Sequence, residues 1–318
     1  MHTIVIGGTG HVGTYLVPRL VEAGHDVTVV SRGRRDPYSP HGAWRSVHHV
    51  TLDRAGDEVK GTFGPQIRDL KPDIVIDMIC FTLESAQHLV EALRGHIQAF
   101  LHCSTCWVHG NTVTVPVTED QPRRPIGDYG ARKAAIEAYL HGEARRTGFP
   151  ETCILPGHIV GPGWVPLNPQ ANFNPDVYTH LALGESVVLP NAGQELVHHV
   201  HADDVAQLFV QAIENWNAAV GESFHAVSPV ALTLRGYAEA VAGWFGHSAV
   251  LSFQPFNAWR EAVSERDAEA TWGHLEHSPN CYSIAKPQRM LEYRPRYSSL
   301  QAVHEAVSWL AEHDIVKV

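Results

Sequence analysis

Basic residues are scarce in this chain of 318 residues: Lys+Arg 24 stand against Asp+Glu 34, a formal net charge of −10. Such a surface disfavours nonspecific binding to nucleic acid or anionic membranes, while leaving room for a local basic pocket. Long apolar runs are missing too. No stretch approaches the roughly 20 residues that a membrane-spanning helix needs. Met1 leads into an apolar strand pattern without a basic leader, so a cytoplasmic location is expected. Cysteines are few: Cys80, Cys103, Cys106, Cys153 and Cys281 form no paired framework, and several lie in apolar runs. They read as reduced, buried thiols. Cys103 and Cys106 make a single Cys-x-x-Cys, without the second pair that would strengthen a metal or redox reading.

What is present is a regular alternation. A hydrophobic content of 44% suffices for one large α/β domain and a smaller lobe. Strand patterns at 2–6, 26–30, 46–50, 73–77, 98–102 and 151–155 alternate with helix patterns at 12–23, 83–94 and 129–147. That order predicts a Rossmann-type α/β fold, a doubly wound parallel sheet covered on both faces. Residues 1–160 are expected to form the dinucleotide-binding domain. Residues 161–318 are expected to form mainly a substrate-binding lobe, with about 195–230 returning to the sheet domain. Pro156 to Pro175 is dense in Gly, Pro and Asn and reads as a long loop over the active site. Helices are expected after it at 174–183, 202–215, 233–246 and 299–312.

The first strand opens into Gly7-Gly8-Thr9-Gly10-His11-Val12-Gly13, a Gly-x-x-Gly-x-x-Gly turn before a helix. In that context the glycines permit a tight turn, close approach of a pyrophosphate, and helix–strand packing. The helix N-terminus then offers free N–H groups to the phosphates. The second strand runs into Ser31-Arg32-Gly33-Arg34-Arg35, with no carboxylate until Asp36. A guanidinium cluster there suits a 2′-phosphate, so NADP is expected over NAD.

Tyr129 and Lys133 form Tyr-x-x-x-Lys, four apart on one helical face. An ammonium beside a phenol favours phenolate and equips the tyrosine for proton transfer near neutral pH. Upstream, the apolar strand through Leu101 ends in Ser104 and Thr105, hydroxyls at a strand's carboxyl end, where open α/β sheets bind ligands.

Together these motifs resemble the extended short-chain dehydrogenase/reductase superfamily, in its NAD(P)-dependent epimerase/dehydratase-like branch. The resemblance runs through Gly7, Gly10 and Gly13, Tyr129 with Lys133, and Ser104 to Gly110. It continues in Leu155 to Pro162, Val200 to Ala206, and Leu291 to Pro295. It implies Thr105, Tyr129 and Lys133 as the catalytic set, with Ser104 as a second hydroxyl. It implies cofactor contacts from Gly7, Gly10, His11, Val12, Gly13, Arg32, Asp53, Lys133 and Pro156, with Asp53 near the adenine. It also implies a homodimer built through the Tyr129 helix and its neighbour.

Several departures bear on the substrate. Val197 stands where nucleotide-sugar members carry an arginine, and His158 and Val160 replace the usual Asn and Tyr. The stretch Gly273 to Asn280 lacks a late arginine. These changes remove grips for a diphosphate. Cys106 and Trp107 offer no acid beside the catalytic hydroxyl, which disfavours dehydration. Of the 22 histidines, His198, His199 and His201 precede Asp203 and Asp204 and invite a metal reading. The resemblance explains them instead as a turn into a helix with Asp203 as its cap, and no metal is expected. His109, His158 and one of His198 or His199 (His199 preferred) are expected to line a substrate pocket with Trp164 and Asn168.

The expected activity is NAD(P)-dependent oxidoreduction or epimerisation at a hydroxyl or carbonyl carbon of a small sugar-like or polyol compound. No nucleic-acid or membrane partner is expected. The alternative is a catalytically silent cofactor-binding regulatory or RNA-associated protein on the same fold.

Overall fold

The computed structural model describes all 318 residues. Its centre is a parallel seven-stranded sheet in the order β11-β6-β5-β4-β1-β2-β3. The strands are β1 (His2–Ile6), β2 (Asp26–Ser31), β3 (His48–Thr51), β4 (Ile74–Asp77), β5 (Ala99–Cys103), β6 (Glu151–Pro156) and, much later, β11 (Ser223–Ala226). In β1, β4 and β5 nearly every residue is buried, because helices cover both faces and alternation gives way to continuous apolar runs. Between the strands run α1 (His11–Glu22), α2 (Arg54–Val59), α3 (Phe63–Asp69), α4 (Leu83–Leu93) and α5 (Gly127–Thr147).

The second half contains three two-stranded ladders. They pair β7 (His158–Val160) with β10 (His199–His201), β8 (Ser186–Pro190) with β13 (Val250–Gln254), and β9 (Leu196–Val197) with β12 (Leu232–Thr233). Its helices are α6 (Asp176–Ala182), α7 (Ala202–Glu214), α8 (Trp216–Ala219), α9 (Leu234–Trp244), α10 (Phe256–Trp259), α11 (Glu265–Leu275), α12 (Ala285–Leu291) and α13 (Ser299–Glu312). A second apolar core forms here around Leu167, Tyr178, Leu234, Tyr237 and Val303. The chain returns to the sheet's core twice. Val200 to Val227 is one return, and Tyr282 to Tyr293, which the sequence reading did not foresee, is the other.

Three local features position the site. Helix α1 runs unbroken through Pro18, held by its buried Val12, Leu16, Val17 and Leu20 face and by an Arg19–Asp203 ion pair of 2.6 Å to α7. Packing there overrides the missing N–H of proline. Asp203 is thereby engaged and does not cap α7. His201 does so, its Nδ1 accepting the Asp203 N–H at 3.0 Å. Asp204, fully buried, accepts the N–H groups of Arg296 (2.7 Å) and Tyr297 (3.1 Å), tying the C-terminal segment to the start of α7. No helix is long and apolar enough to cross a membrane.

Candidate active site

The order of the sheet reverses at β1, which lies between β4 and β2, and such switch points open a crevice at the strands' carboxyl ends. Gly7 sits there with φ +84°, left-handed backbone that favours glycine, and donates its N–H to Val30 O at 2.8 Å. A Cβ on Gly13 would lie 2.1 Å from Gly8 O, so helix and turn meet closely enough that only glycine fits. Helix α1 begins at His11 behind Gly10, with no side chain capping its first N–H groups. Free N–H groups at a helix start suit an anion.

A cavity of about 700 Å³ opens from this turn, lined by Gly7, Gly10, Arg32 and Asp53, and also by Arg34 and Arg35. Arg32, Arg34 and Arg35 are exposed on it, and Arg35 donates to Tyr38 Oη at 2.7 Å. These features fit a dinucleotide. Arg54, unforeseen from the sequence, lines the same cavity while pairing with the fully buried Asp77 (2.7 Å) and with Glu58 (2.7 Å). Val12 is buried in the core, where it packs rather than facing the cavity.

The hydroxyls of Ser104 and Thr105, the candidates for catalysis, follow the end of β5. Thr105 caps a short 3-10 turn, Cys106–Val108, accepting the Trp107 N–H at 3.3 Å. Helix α5 presses on this turn: a Cβ on Gly130 would lie 2.8 Å from Trp107 O. That contact fixes Tyr129, in the first turn of α5, relative to Thr105. Burial and the neighbouring Cys103 push the Tyr129 phenol up to about 12, and the Thr105 hydroxyl draws it back down. Tyr129 is nonetheless 45% exposed, and solvent tempers the upward push.

One turn along, Lys133 is buried. Its ammonium donates to Cys80 O (2.8 Å) and Cys103 O (2.7 Å) and lies 4.8 Å from the Phe81 ring centre. Burial lowers its proton affinity. Two of its three donors are thus committed to carbonyls. The group that favours phenolate at Tyr129 in this structure is Thr105, and Lys133 is anchored against β5. The Ser104 hydroxyl is buried without a partner.

A second cavity, about 380 Å³, brings together Thr105, Tyr129, Pro156, His158, Trp164 and His11. None of its lining residues is Asp, Glu, Lys or Arg. Trp107 is its hub. The indole centre lies 6.2 Å from the Tyr129 ring, 5.8 Å from His158 and 5.1 Å from His274, and stacks on His277 at 4.1 Å. Trp107, Phe173, His274, Asn280 and Tyr282 were not among the expected pocket residues. His274 and His277 are three apart in the sequence, and only the fold brings both rings to Trp107.

Three expected pocket residues are turned inward instead. His109 Nε2 meets His225 Nε2 at 2.9 Å in the core. His199 Nε2 reaches Leu167 O at 3.0 Å, fully buried. Asn168 knits its own loop, donating to Asn172 Oδ1 (2.6 Å) and Asn174 O (2.9 Å) while accepting the Gln170 N–H (2.8 Å). One nitrogen of each histidine and the Asn168 amide are engaged within the protein, and none of the three side chains lines the second cavity, which corrects the pocket roles expected for them. The clustered histidines part in different directions: His198 bonds Ser228 O and accepts the Tyr282 N–H, while His201 faces Glu305.

Comparison with known proteins bears on the fold and the family. Residues 3–226 match the NAD dependent epimerase/dehydratase family. The chain is similar to 2'-dehydrokanamycin reductase of Streptomyces kanamyceticus, with 28% identity covering 85% of this chain and 73% of that one. It is also similar to UDP-glucose 4-epimerase of Corynebacterium glutamicum, with 25% identity covering 88% and 91%. Among solved structures, UDP-glucose 4-epimerase of Thermotoga maritima with UDP-glucose shares the fold, with a TM-score of 0.75 at 20% identity over 98% of this chain and 99% of that one. The chain belongs to the NAD dependent epimerase/dehydratase family.

Proposed function

We propose that the protein is an NADP-preferring oxidoreductase acting on a small, uncharged ring compound at a hydroxyl or carbonyl carbon. The observation that carries this reading is one cavity holding the Tyr129 phenol and the Thr105 hydroxyl, one turn of α5 from a buried lysine, with no charged side chain on its walls. When bound, the nicotinamide supplies the hydride accepted or donated by the substrate carbon. In the reducing direction Tyr129 gives its proton to the substrate oxygen as the hydride reaches the carbon, leaving phenolate and an alcohol; oxidation runs these transfers backwards. Thr105 holds that oxygen and eases phenolate formation. We assign Lys133, with one donor uncommitted, to the ribose on the family resemblance. Arg32, Arg34 and Arg35 favour the 2′-phosphate.

The relatives named for UDP-glucose chemistry act on charged sugar nucleotides, and this cavity has no cation to receive a diphosphate. The resemblance to a protein named as a reductase, 2'-dehydrokanamycin reductase, supports net reduction over UDP-sugar chemistry. A second reading, epimerisation with the cofactor retained through two opposite half-reactions, draws support from the stacking of Trp164 over the start of α1. A cytoplasmic homodimer with no nucleic-acid or membrane partner completes the proposal. The test is turnover of cyclic ketones and alcohols by the purified full chain. Net NADPH consumption supports the first reading. Stereochemical inversion without net absorbance change supports the second, and neither outcome across neutral and UDP-linked substrates would reject both.

A further inference from the structure

The second cavity offers few hydrogen-bonding atoms, and their chemistry is selective. Trp107, Trp164, Phe173 and Tyr282 supply aromatic wall. A phosphate or carboxylate entering it would lose water without gaining a counter-charge. Two imidazoles stand out. His158 Nε2 is buried and has no partner in the protein, where buried polar atoms ordinarily have one. His274 packs beside it, 4.6 Å between ring centres.

His274 Nδ1 lies 2.7 Å from Ala270 O. A carbonyl only accepts, so Nδ1 carries the hydrogen and Nε2 is left as an acceptor. Burial, followed for His158 by the neighbouring His274, holds both rings in the uncharged form at neutral pH. The His158 ring, which makes no hydrogen bond within the protein, can place its hydrogen on the nitrogen that needs to donate. A donor beside an acceptor complements a hydroxyl, which both accepts and donates. A carbonyl or ether would satisfy only the donor, and an ammonium only the acceptor. Because Trp107 touches Tyr129, His158 and His274 alike, that hydroxyl sits close to the reacting carbon.

Resting on the oxidoreductase reading above, we propose that His158 and His274 jointly bind a second hydroxyl of the substrate, one or two ring carbons from the carbon served by Tyr129 and Thr105. The substrate class is then an uncharged cyclic hydroxyketone or diol.

The test is binding of 1,2- and 1,3-cyclohexanediol against cyclohexanol to the NADP-loaded full chain, read by ligand-observed NMR. At least one diol should bind about tenfold more tightly, the worth of one well-made hydrogen bond. His158→Phe and His274→Phe should each reduce that preference to within about twofold, with NADP binding unchanged, and His158→Asn should restore part of it. Equal binding of diols and cyclohexanol by the unaltered protein overturns the proposal, as does tighter binding of UDP-glucose than of either diol. A diol preference without any turnover would sink the oxidoreductase reading and leave the hydroxyl site standing. Turnover without the preference would sink the hydroxyl site alone.

Discussion

The His11 imidazole lies flat on the Trp164 indole, with 3.1 Å between ring centres and 7° between planes. His11 is the first residue of α1, where a pyrophosphate is expected, and Trp164 comes from the loop after β7. Tyr38 packs at the edge of the pair, 4.3 Å from His11 and 5.2 Å from Trp164. Burial and the nearby Arg35 push the His11 ring down to about 3, so the stack is between uncharged His11 and Trp164. His11 also leaves a buried Nε2 without a partner. The stack thus joins the cofactor turn to a loop of the second half of the chain. Replacing Trp164 by Ala should speed NADPH release roughly fivefold to tenfold, in keeping with the worth of one aromatic pair. Stopped-flow displacement would measure it, and an unchanged release rate would show that the stack does not hold the cofactor.

Tyr129→Phe keeps the ring against Trp107 and removes only the hydroxyl. Turnover should fall about a hundredfold or more while NADPH affinity stays within about twofold. Equal loss of cofactor affinity would instead assign Tyr129 to binding.

The arginines of the β2 loop are tested by changing Arg32 and Arg34 together to Ser, sparing Arg35, which supports Tyr38. NADPH should bind at least about tenfold more weakly, the range of one or two charge-assisted contacts to phosphate. NADH affinity should hardly move. An unaltered protein that binds NADH more tightly than NADPH would reject the preference outright.

How far residues announced their places depended on how local their partners were. The glycine turn is legible because Gly7, Gly10 and Gly13 act on backbone within a few residues, and the sheet is legible because each strand is its own apolar run. Tyr129 and Lys133 share one helix, so their spacing speaks for itself. His109 and His199 misled because their partners are far away in sequence: His225 lies 116 residues from His109, and Leu167 lies 32 from His199. A histidine's identity does not reveal whether a substrate or a distant carbonyl satisfies it. Asn168 failed differently, since its side chain is consumed by its own loop, an Asx habit that any loop asparagine shares. His274 and its partner Trp107 are far apart in sequence, Trp107 belonging to β5's exit, and only the fold brings the two together.

Lys133 carries structural weight beyond any part in chemistry. Lys133→Met removes the donor from the carbonyls of Cys80 and Cys103, both in buried surroundings. A stability loss of about 2–3 kcal/mol is expected from orphaned acceptors, alongside weaker NADPH binding. Urea denaturation would measure the first and titration the second. A variant as stable as the parent would mean that the two carbonyls find other partners.

The ring of His141 supplies a pH test of the fold away from the cavity. Burial alone would push it down, but the carboxylates of Glu137 and Glu151 outweigh burial and hold it at about 9, while its Nε2 bonds Ser223 Oγ at 2.9 Å. Its Nδ1 meets Glu151 Oε1 at 2.7 Å and its Nε2 lies 3.7 Å from Glu137 Oε1. Because the folded value lies above the ordinary 6.5, the stabilisation is complete below pH 6.5 and fades as pH rises through about 9. Glu137 behaves oppositely. Burial would raise it, but His141 and Arg123 hold it below the usual 4.5, so its share is present above that value and fades in acid. Together they stabilise most between those limits. His141→Gln keeps a hydrogen-bond donor and cannot take the charge. The Tm difference between parent and variant should therefore be widest near pH 6 and shrink steadily towards pH 9.5. A difference that stays constant across that range would mean that His141 is uncharged in the folded protein and that packing alone makes its contribution.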